Sequence, residues 1–155
     1  ISPFNAWLIN RGLATLPVRM KAHESNAFVL ARFLESHPKI IKVLYPGLDS
    51  HPHHDLASQQ MENYSGMIAV QVANGPEEAV KLMRTLKVFH YAVSLGHHRS
   101  LIYWLATDDL MASSYGLQGA QLDAYRAFAG DGVFRISVGL EDPQDLCDDL
   151  AQALE

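Results

Sequence analysis

The chain has 155 residues, of which 48% are hydrophobic and 19% charged, and its formal net charge is −5. This composition is typical of a folded domain and argues against intrinsic disorder, while the acidic balance and the scattered Lys and Arg residues argue against a nucleic-acid partner. No apolar run reaches the roughly 18 residues of a membrane span. A single cysteine, Cys147, argues against a disulfide framework and predicts a reducing compartment, so we expect a cytoplasmic protein.

Residues 1–36 predict a long helix with a break near residues 15–17. Ser2 is a good N-cap, and a proline follows it at the first helical position. Pro17 lacks an amide hydrogen and interrupts the helix, and Thr15 can cap the segment after it. That segment has one apolar face, formed by Met20, Ala27, Leu30, Ala31 and Leu34. The first residue is not methionine, and we expect the chain to be part of a longer protein.

Residues 37–155 predict short strands that alternate with helices. Strand patterns occur in KIIKVLYPG, SGMIAVQVA, VFHYAVSLG, RSLIYWL and residues 133–139. A short helix is predicted to begin near Pro52, and further helical patterns cover residues 76–87, 120–128 and 142–154. Residues 106–117 have no clear period and predict a loop. In the helix over 76–87 the inward positions are Ala79, Leu82, Met83 and Leu86. This order predicts an α/β two-layer sandwich, in which helices pack on one face of a small, mostly antiparallel sheet.

Arg135 lies within a run of β-forming residues, GVFRISVG. Alternation along a strand places Arg135 on the same face as Val133 and Ser137, opposite Phe134 and Ile136. Two interpretations are open. Arg135 is either the outward polar member of an ordinary half-buried strand or a ligand-binding residue, because a planar guanidinium forms paired hydrogen bonds with a carboxylate.

A sharp bend, Ser94-Leu95-Gly96, follows one of the predicted strands. The backbone amides and the serine hydroxyl of such a bend can face an anion. The same residues also suit a plain connection between two strands, in which glycine supplies backbone freedom. The local sequence favours the plain connection.

The remaining candidate groups predict no metal site and no nucleophile. The histidines lack the i, i+4 spacing or the companion cysteine pair of a zinc site, and we expect them to be solvated in loops; they are His51, His53, His54, His97 and His98. Acidic neighbours raise the pKa of Cys147, which argues against a nucleophilic thiol. We expect the pair Asp108-Asp109 and the acidic run that ends at Asp149 to be solvated.

Several segments, taken in chain order, resemble one family. They are SPFNAWLINRGLATLPVRMKAHESNAFVLARFLESHP, VLYPGLDSHPHHDLASQQM, SGMIAVQV, AVSLGHHRSLI and DGVFRISVGLEDPQDLCDDLAQAL. The family is the pyridoxal-phosphate-dependent enzymes of cysteine and methionine metabolism, the trans-sulfuration group. It includes methionine γ-lyase, cystathionine γ-lyase, cystathionine γ-synthase and cystathionine β-lyase. The resemblance covers nearly the whole chain, and only residues 97–130 fit it poorly.

The resemblance implies that the chain is the C-terminal part of a carbon–sulfur lyase. Residues 37–155 then form the small C-terminal domain of a fold-type I pyridoxal-phosphate enzyme, and residues 1–36 are the helix that links it to the cofactor-binding domain. The Schiff-base lysine and most of the cofactor site lie in that other domain, so no catalytic residue is expected in this chain. The intact enzyme is expected to be a homotetramer, a dimer of dimers. Apolar residues of the first helix, Phe4, Trp7, Leu8 and Leu13, are candidates for docking the other domain.

The resemblance also implies roles for individual residues. Arg135 binds the α-carboxylate of the amino-acid substrate, and Ser94 and Leu95 lie beside the same carboxylate. Gly96 and Arg99 are candidates for lining the pocket. Arg99 stands where an acidic residue is common in the family, and it either meets a distal carboxylate of the substrate or faces solvent.

Two departures from the family pattern leave the reaction open. The chain has SLGHHRS where many lyases have SLGG-x-ES, and YWLATDDLMASSY where HPA-x-MTH is usual. These segments border the substrate side chain, so γ-elimination, β-elimination and γ-replacement all stay open. The alternative from another class is a non-catalytic folded fragment or assembly module. On either interpretation the chain alone is expected to be inactive.

Overall fold

The computed structural model describes residues 1–155, apart from the side chain of residue 114. Seven helices and five strands follow one another in the described chain: α1 (Pro3–Leu13), α2 (Leu16–Glu35), β1 (Ile40–Leu44), α3 (His54–Gln60), β2 (Met67–Val72), α4 (Gly75–Thr85), β3 (His90–Tyr91), β4 (Leu101–Ala106), α5 (Thr107–Leu110), α6 (Ala120–Ala129), β5 (Gly132–Ser137) and α7 (Pro143–Leu154). Residues Met111–Tyr115 continue from α5 as a kinked helical turn, with a non-helical backbone at Ser113 (φ −93°, ψ −143°). Within the described part of the chain, every helix is too short or too polar to cross a bilayer.

Helices α1 and α2 lie where the sequence predicts one broken helix, and they are separated at residues 14 and 15. Ser2 caps α1, because its hydroxyl accepts a hydrogen bond from the amide of Asn5 at 3.2 Å. Thr15 occupies the N-cap position of α2 without capping it through its side chain. Its hydroxyl instead donates to the carbonyl of Gly12, and the Arg19 guanidinium donates to both the Thr15 hydroxyl and the Gly12 carbonyl. Arg19 therefore fastens the two helices at the break.

The five strands form one sheet in the order β1-β2-β5-β4-β3. All neighbours are antiparallel except β3 and β4, which are parallel. The buried face of the central strand carries Phe134 and Ile136 and packs on the apolar sides of α2, α4 and α7. The main helical contributions to this core are Leu30, Leu34, Leu82, Leu146 and Leu150. The architecture is the predicted one, a mixed and mostly antiparallel sheet covered by helices.

Three local predictions were wrong. Met83 is 55% exposed, because α4 turns only a narrow stripe around Ala79 and Leu82 toward the core. Residues 106–117 are not a plain loop, since they contain α5 and the kinked turn that follows it. The strand predicted in VFHYAVSLG shrinks to His90 and Tyr91, because pairing with β4 ends there and the chain bends away.

Asp149 is also contrary to prediction, since it is buried rather than solvated. It is 4% exposed. Its carboxylate accepts hydrogen bonds from the backbone amides of Lys87, Val88 and Phe89 at 2.8–3.2 Å, and from the side chain of Gln152. A carboxylate on α7 therefore holds the segment that leads from α4 into β3.

We expect Asp149→Ala to lower the free energy of unfolding by about 2–4 kcal/mol, because three backbone amides lose their shared acceptor. Urea unfolding followed by circular dichroism measures this change. Asp148→Ala is the matched control, since Asp148 is an exposed neighbour on the same helix, and it should change stability by less than about 0.5 kcal/mol. Equal effects of the two substitutions would contradict the structural role of Asp149.

Candidate functional site

Arg135 lies in the middle of the central strand, on the face that the core helices leave uncovered. The strand pairs on both sides, so that Arg135 lies opposite Ala69 of β2 and Tyr103 of β4. The backbone of Arg135 is therefore fixed by hydrogen bonds to two neighbouring strands. Its side chain is partly exposed, and a terminal guanidinium nitrogen donates to the carbonyl oxygen of Ser94 at 3.4 Å. This contact brings together the two candidate sites of the sequence, 41 residues apart.

The bend at residues 94–96 is attached to the same strand. The Gly96 amide donates to the Ser137 hydroxyl at 3.0 Å, and Ser137 lies two residues after Arg135 on the same face. Gly96 has φ +72°, a backbone conformation that favours glycine. Ser94 and Leu95 are exposed beside the guanidinium side of the strand. Arg135 and Ser137 thus hold two successive parts of the bend.

An apolar cavity of about 270 Å³ lies next to this bend. It opens between the start of α2, the start of β2 and the end of β5, and its lining includes Leu95, Gly96 and Ser137. His23 and Met20 line it from the helix side. The cavity adjoins the strand that carries Arg135, and its described lining includes no lysine.

Arg99 lies apart from the other predicted site residues. It is exposed, and its guanidinium donates to Nε2 of His90 at 3.3 Å. It is not among the described residues that line the cavity. The structure therefore brings Arg135, Ser94 and Gly96 together and holds Arg99 against the edge strand.

Sequence reasoning missed two residues of α2 that hold the segment just after β5. His23 is buried, and its Nδ1 donates to the carbonyl of Val138 at 2.7 Å. Asn26 donates from its amide nitrogen to the carbonyls of Gly139 and Glu141 at 3.1 and 2.8 Å. The helical period does place both residues near the buried face of α2, but polar side chains on such a face carry no sign of their partners.

The histidines at positions 51, 53 and 54 are only partly as predicted. His53 is exposed, but His54 is partly buried and its Nδ1 donates to the carbonyl of Pro46 at 2.8 Å. Burial, together with the nearby His53 and His54, lowers the pKa of His51. His97 and His98 are exposed. Across the described residues, no three His, Cys, Asp or Glu side chains come together as metal ligands would.

The five lysines of the chain have other surroundings. Lys39 donates to the carbonyl of Glu155 and pairs with the Glu78 carboxylate at 3.7 Å. Lys42 lies over the ring of Phe128, with its Nζ 4.4 Å from the ring centroid. The others are at positions 21, 81 and 87. The candidate site thus has the Arg135 guanidinium and the polar backbone groups of the bend, and the described lining of the adjoining cavity includes no lysine.

Comparison with known proteins gives a consistent result along the whole chain. A family model described as Cys/Met metabolism PLP-dependent enzyme matches residues 1–155. Cystathionine gamma-lyase of Sus scrofa is 44% identical over 154 residues, which cover 99% of this chain and 36% of that protein. Its Dictyostelium discoideum counterpart is 42% identical over 99% of this chain and 38% of that protein. Canavanine gamma-lyase of Pseudomonas canavaninivorans is 42% identical over 158 residues, which cover 100% of this chain and 37% of that protein. The chain thus spans little more than a third of these relatives.

Cys147 supplies a test of the surroundings of α7. Burial raises the pKa of its thiol, and the neighbouring Asp148 carboxylate raises it further. Because a higher pKa leaves less thiolate at a given pH, we expect iodoacetamide to react more slowly with the folded protein at pH 8 than with the protein in urea. The reaction rate of the folded protein should also rise at a higher pH than that of free cysteine. Equal rates in the folded and unfolded states would contradict this.

Proposed function

Because the chain belongs to the Cys/Met metabolism PLP-dependent enzyme family, we propose that it forms the substrate-carboxylate-binding part of a lyase that cleaves the C–S bond of a sulfur-containing amino acid. One observation carries this proposal. The Arg135 guanidinium lies within hydrogen-bond distance of the Ser94 carbonyl, on a strand that also holds the Gly96 amide. A cation and a polar bend therefore meet at one place on the uncovered face of the sheet.

Arg135 binds the α-carboxylate through paired hydrogen bonds. Its planar guanidinium has five N–H donors, and the contact with Ser94 uses one of its nitrogens, so that donors are left for an anion. Ser94 and Leu95 border the bound carboxylate from the bend, and Gly96 lines the adjoining cavity. Because the strand fixes Arg135, the bound amino acid is held in one orientation, and positioning of this kind supplies a large part of enzymatic rate acceleration.

Pyridoxal phosphate is the cofactor of the family, and it supplies carbanion stabilisation when it is bound. The residues of this chain do not fit a complete cofactor site, since the described lining of the cavity beside the bend has no lysine. We place the cofactor lysine outside this chain, in a preceding domain. The part played by this chain is to bind and orient the carboxylate.

The names of the relatives favour chemistry at the γ-carbon of the substrate. They include cystathionine gamma-lyase, cystathionine gamma-synthase and canavanine gamma-lyase. We favour γ-elimination, as in a methionine or cystathionine γ-lyase, with γ-replacement and β-elimination as the alternative reactions. The contact between Arg99 and His90 supports a solvent-facing Arg99 over one that meets the distal end of the substrate.

The exposed apolar side chains of α1 support docking of the rest of the enzyme. No residue of α1 is buried, and Phe4, Trp7, Leu8 and Leu13 are each at least 45% exposed. An apolar surface of this kind usually marks an interface. We propose that α1 contacts the cofactor-binding domain and that residues 37–155 are the small C-terminal domain of a fold-type I enzyme. The complete enzyme is then a cytoplasmic homotetramer.

Replacing Arg135 tests the carboxylate role directly. In the full-length enzyme, Arg135→Ala should lower kcat/KM by about 2–4 kcal/mol, mainly through a higher KM, because a charge-assisted pair is lost. Steady-state kinetics with methionine, cystathionine and cysteine measure the change.

Arg126→Ala is the matched control, because Arg126 forms a surface pair with Asp108 and should leave kcat/KM unchanged. A value of kcat/KM for Arg135→Ala equal to that of the unaltered enzyme would remove the carboxylate role.

An experiment on residues 1–155 alone tests what both candidate functions expect, the lyase domain and the non-catalytic fragment or assembly module alike: that this chain has no activity of its own. We expect no turnover of methionine, cysteine or cystathionine by this chain with added pyridoxal phosphate. We also expect no visible absorbance to remain with the protein after gel filtration, because the described residues that line the cavity include no lysine. Retained absorbance or turnover would show that the chain holds the cofactor by itself.

A further inference from the structure

Glu141 makes an unusual pair of contacts just beyond the end of β5. One of its carboxylate oxygens accepts a hydrogen bond from the Ser100 amide at 2.7 Å, and the other accepts from the Ser100 hydroxyl at 2.8 Å. Both donors belong to a single residue, 41 positions earlier in the chain. Hydrogen bonds to a charged acceptor are stronger than neutral ones. Glu141 therefore links Ser100, the residue before β4, to the segment that follows β5.

Ser100 passes this connection back to the strand. It is fully buried, and its hydroxyl accepts a hydrogen bond from the Gly139 amide at 2.7 Å. The backbone adds a further link, from the Leu140 amide to the His98 carbonyl at 2.8 Å. A Cβ at residue 139 would overlap with the Glu141 carboxylate, the His98 carbonyl and the Ser100 amide, so the close approach requires glycine there. The two segments are thus closed into a ring of hydrogen bonds.

This ring lies at the end of residues 97–100, the segment that leads from the bend into β4. Ser100 is the last residue before β4, and the bend at residues 94–96 reaches the sheet through it. The middle of the bend is held by the Ser137 hydroxyl through the Gly96 amide. The segment that follows the bend is held by Glu141 through Ser100. Between these two anchors, residues 97–99 are exposed, and their described links to other elements are the Leu140 amide on the His98 carbonyl and the contact of the Arg99 guanidinium with His90.

We propose that Glu141 is a positioning residue for the α-carboxylate site. It does not touch the substrate. By holding Ser100 it fixes the segment that follows the bend, and thereby the position of Ser94 and Leu95 relative to Arg135. The inference rests on the proposed function, because it assumes that Arg135 and the bend share one carboxylate.

A carboxylate at this position does what smaller side chains do not. Two donors of Ser100 need acceptors, and one of them is the amide of a fully buried residue, which is costly to leave unpaired. Glutamate reaches both donors, glutamine keeps one oxygen for the amide, and aspartate is one methylene shorter and does not span both. These differences give a graded set of variants.

The test compares two inhibitors that lack a sulfur leaving group, L-norleucine and L-norleucinamide, on the full-length enzyme loaded with pyridoxal phosphate. The ratio of their inhibition constants reports recognition of the α-carboxylate. We expect the unaltered enzyme to prefer the acid by about a hundredfold. Glu141→Ala should reduce this ratio about tenfold, chiefly by raising the inhibition constant of norleucine. Glu141→Gln should keep the ratio within about threefold of its value in the unaltered enzyme.

Asp142→Ala is the control for a purely structural effect. Asp142 is adjacent to Glu141 and caps α7 by accepting from the Gln144 amide at 2.8 Å. Its replacement should lower the melting temperature and leave the inhibitor ratio unchanged. Should Glu141→Ala fail to fold, Glu141→Asp and Glu141→Gln decide the question, with a lowered ratio expected for the aspartate variant only.

The outcomes separate the two proposals. If the unaltered enzyme does not discriminate between acid and amide, the proposed carboxylate site is wrong, and the role of Glu141 is overturned with it. If the unaltered enzyme discriminates, and Glu141→Ala or Glu141→Asp discriminates equally well, the positioning role alone is overturned. A ratio that falls equally in the Asp142→Ala control would also overturn it, since the effect would then follow stability.

Discussion

The pairing of β5 with both of its neighbours is the constraint on which the rest of the structure depends. Successive residues of a strand point to opposite faces, so the burial of Phe134 and Ile136 against the helices obliges Arg135 to face the other way. A slip of one residue would bury a guanidinium in the core and expose two large apolar side chains. The packing of the hydrophobic core therefore fixes the face of the sheet on which the Arg135 guanidinium lies.

Elements with a clear period could be predicted from sequence, and residues held by distant partners could not. The start of α1 at the Ser2 cap, the strand around Arg135 and the closing helix α7 all follow from local pattern and local caps. Met83 was predicted to face the core and is exposed. The helical period gives the direction of the apolar face of α4, but it does not give the width of the part of that face that the sheet covers. The short β3 shows another limit, since its length is set by pairing with β4 and not by its own β-forming residues.

The acidic residues show most plainly why part of the site was beyond sequence reasoning. Asp149 and Glu141 both stand in the stretch GLEDPQDLCDDL, which looks like a solvated acidic run. Asp149 is buried because three backbone amides, some 60 residues earlier, converge on its carboxylate. Glu141 is held by Ser100 in the same manner. In each case the donors are supplied by a turn whose path depends on the whole sheet, and periodicity within the run contains no information about it.

The proposed site and the apolar surface of α1 are incomplete in the same physical sense. A guanidinium that is partly exposed to water gains little from pairing with a carboxylate, because an exposed ion pair contributes only about 0–1 kcal/mol. The same pair becomes much stronger once water is excluded and the local dielectric constant falls. Apolar side chains on α1 likewise stabilise nothing until another surface covers them. Both features gain from a covering domain, and tight recognition of the carboxylate requires one that encloses Arg135 without filling the place of the anion.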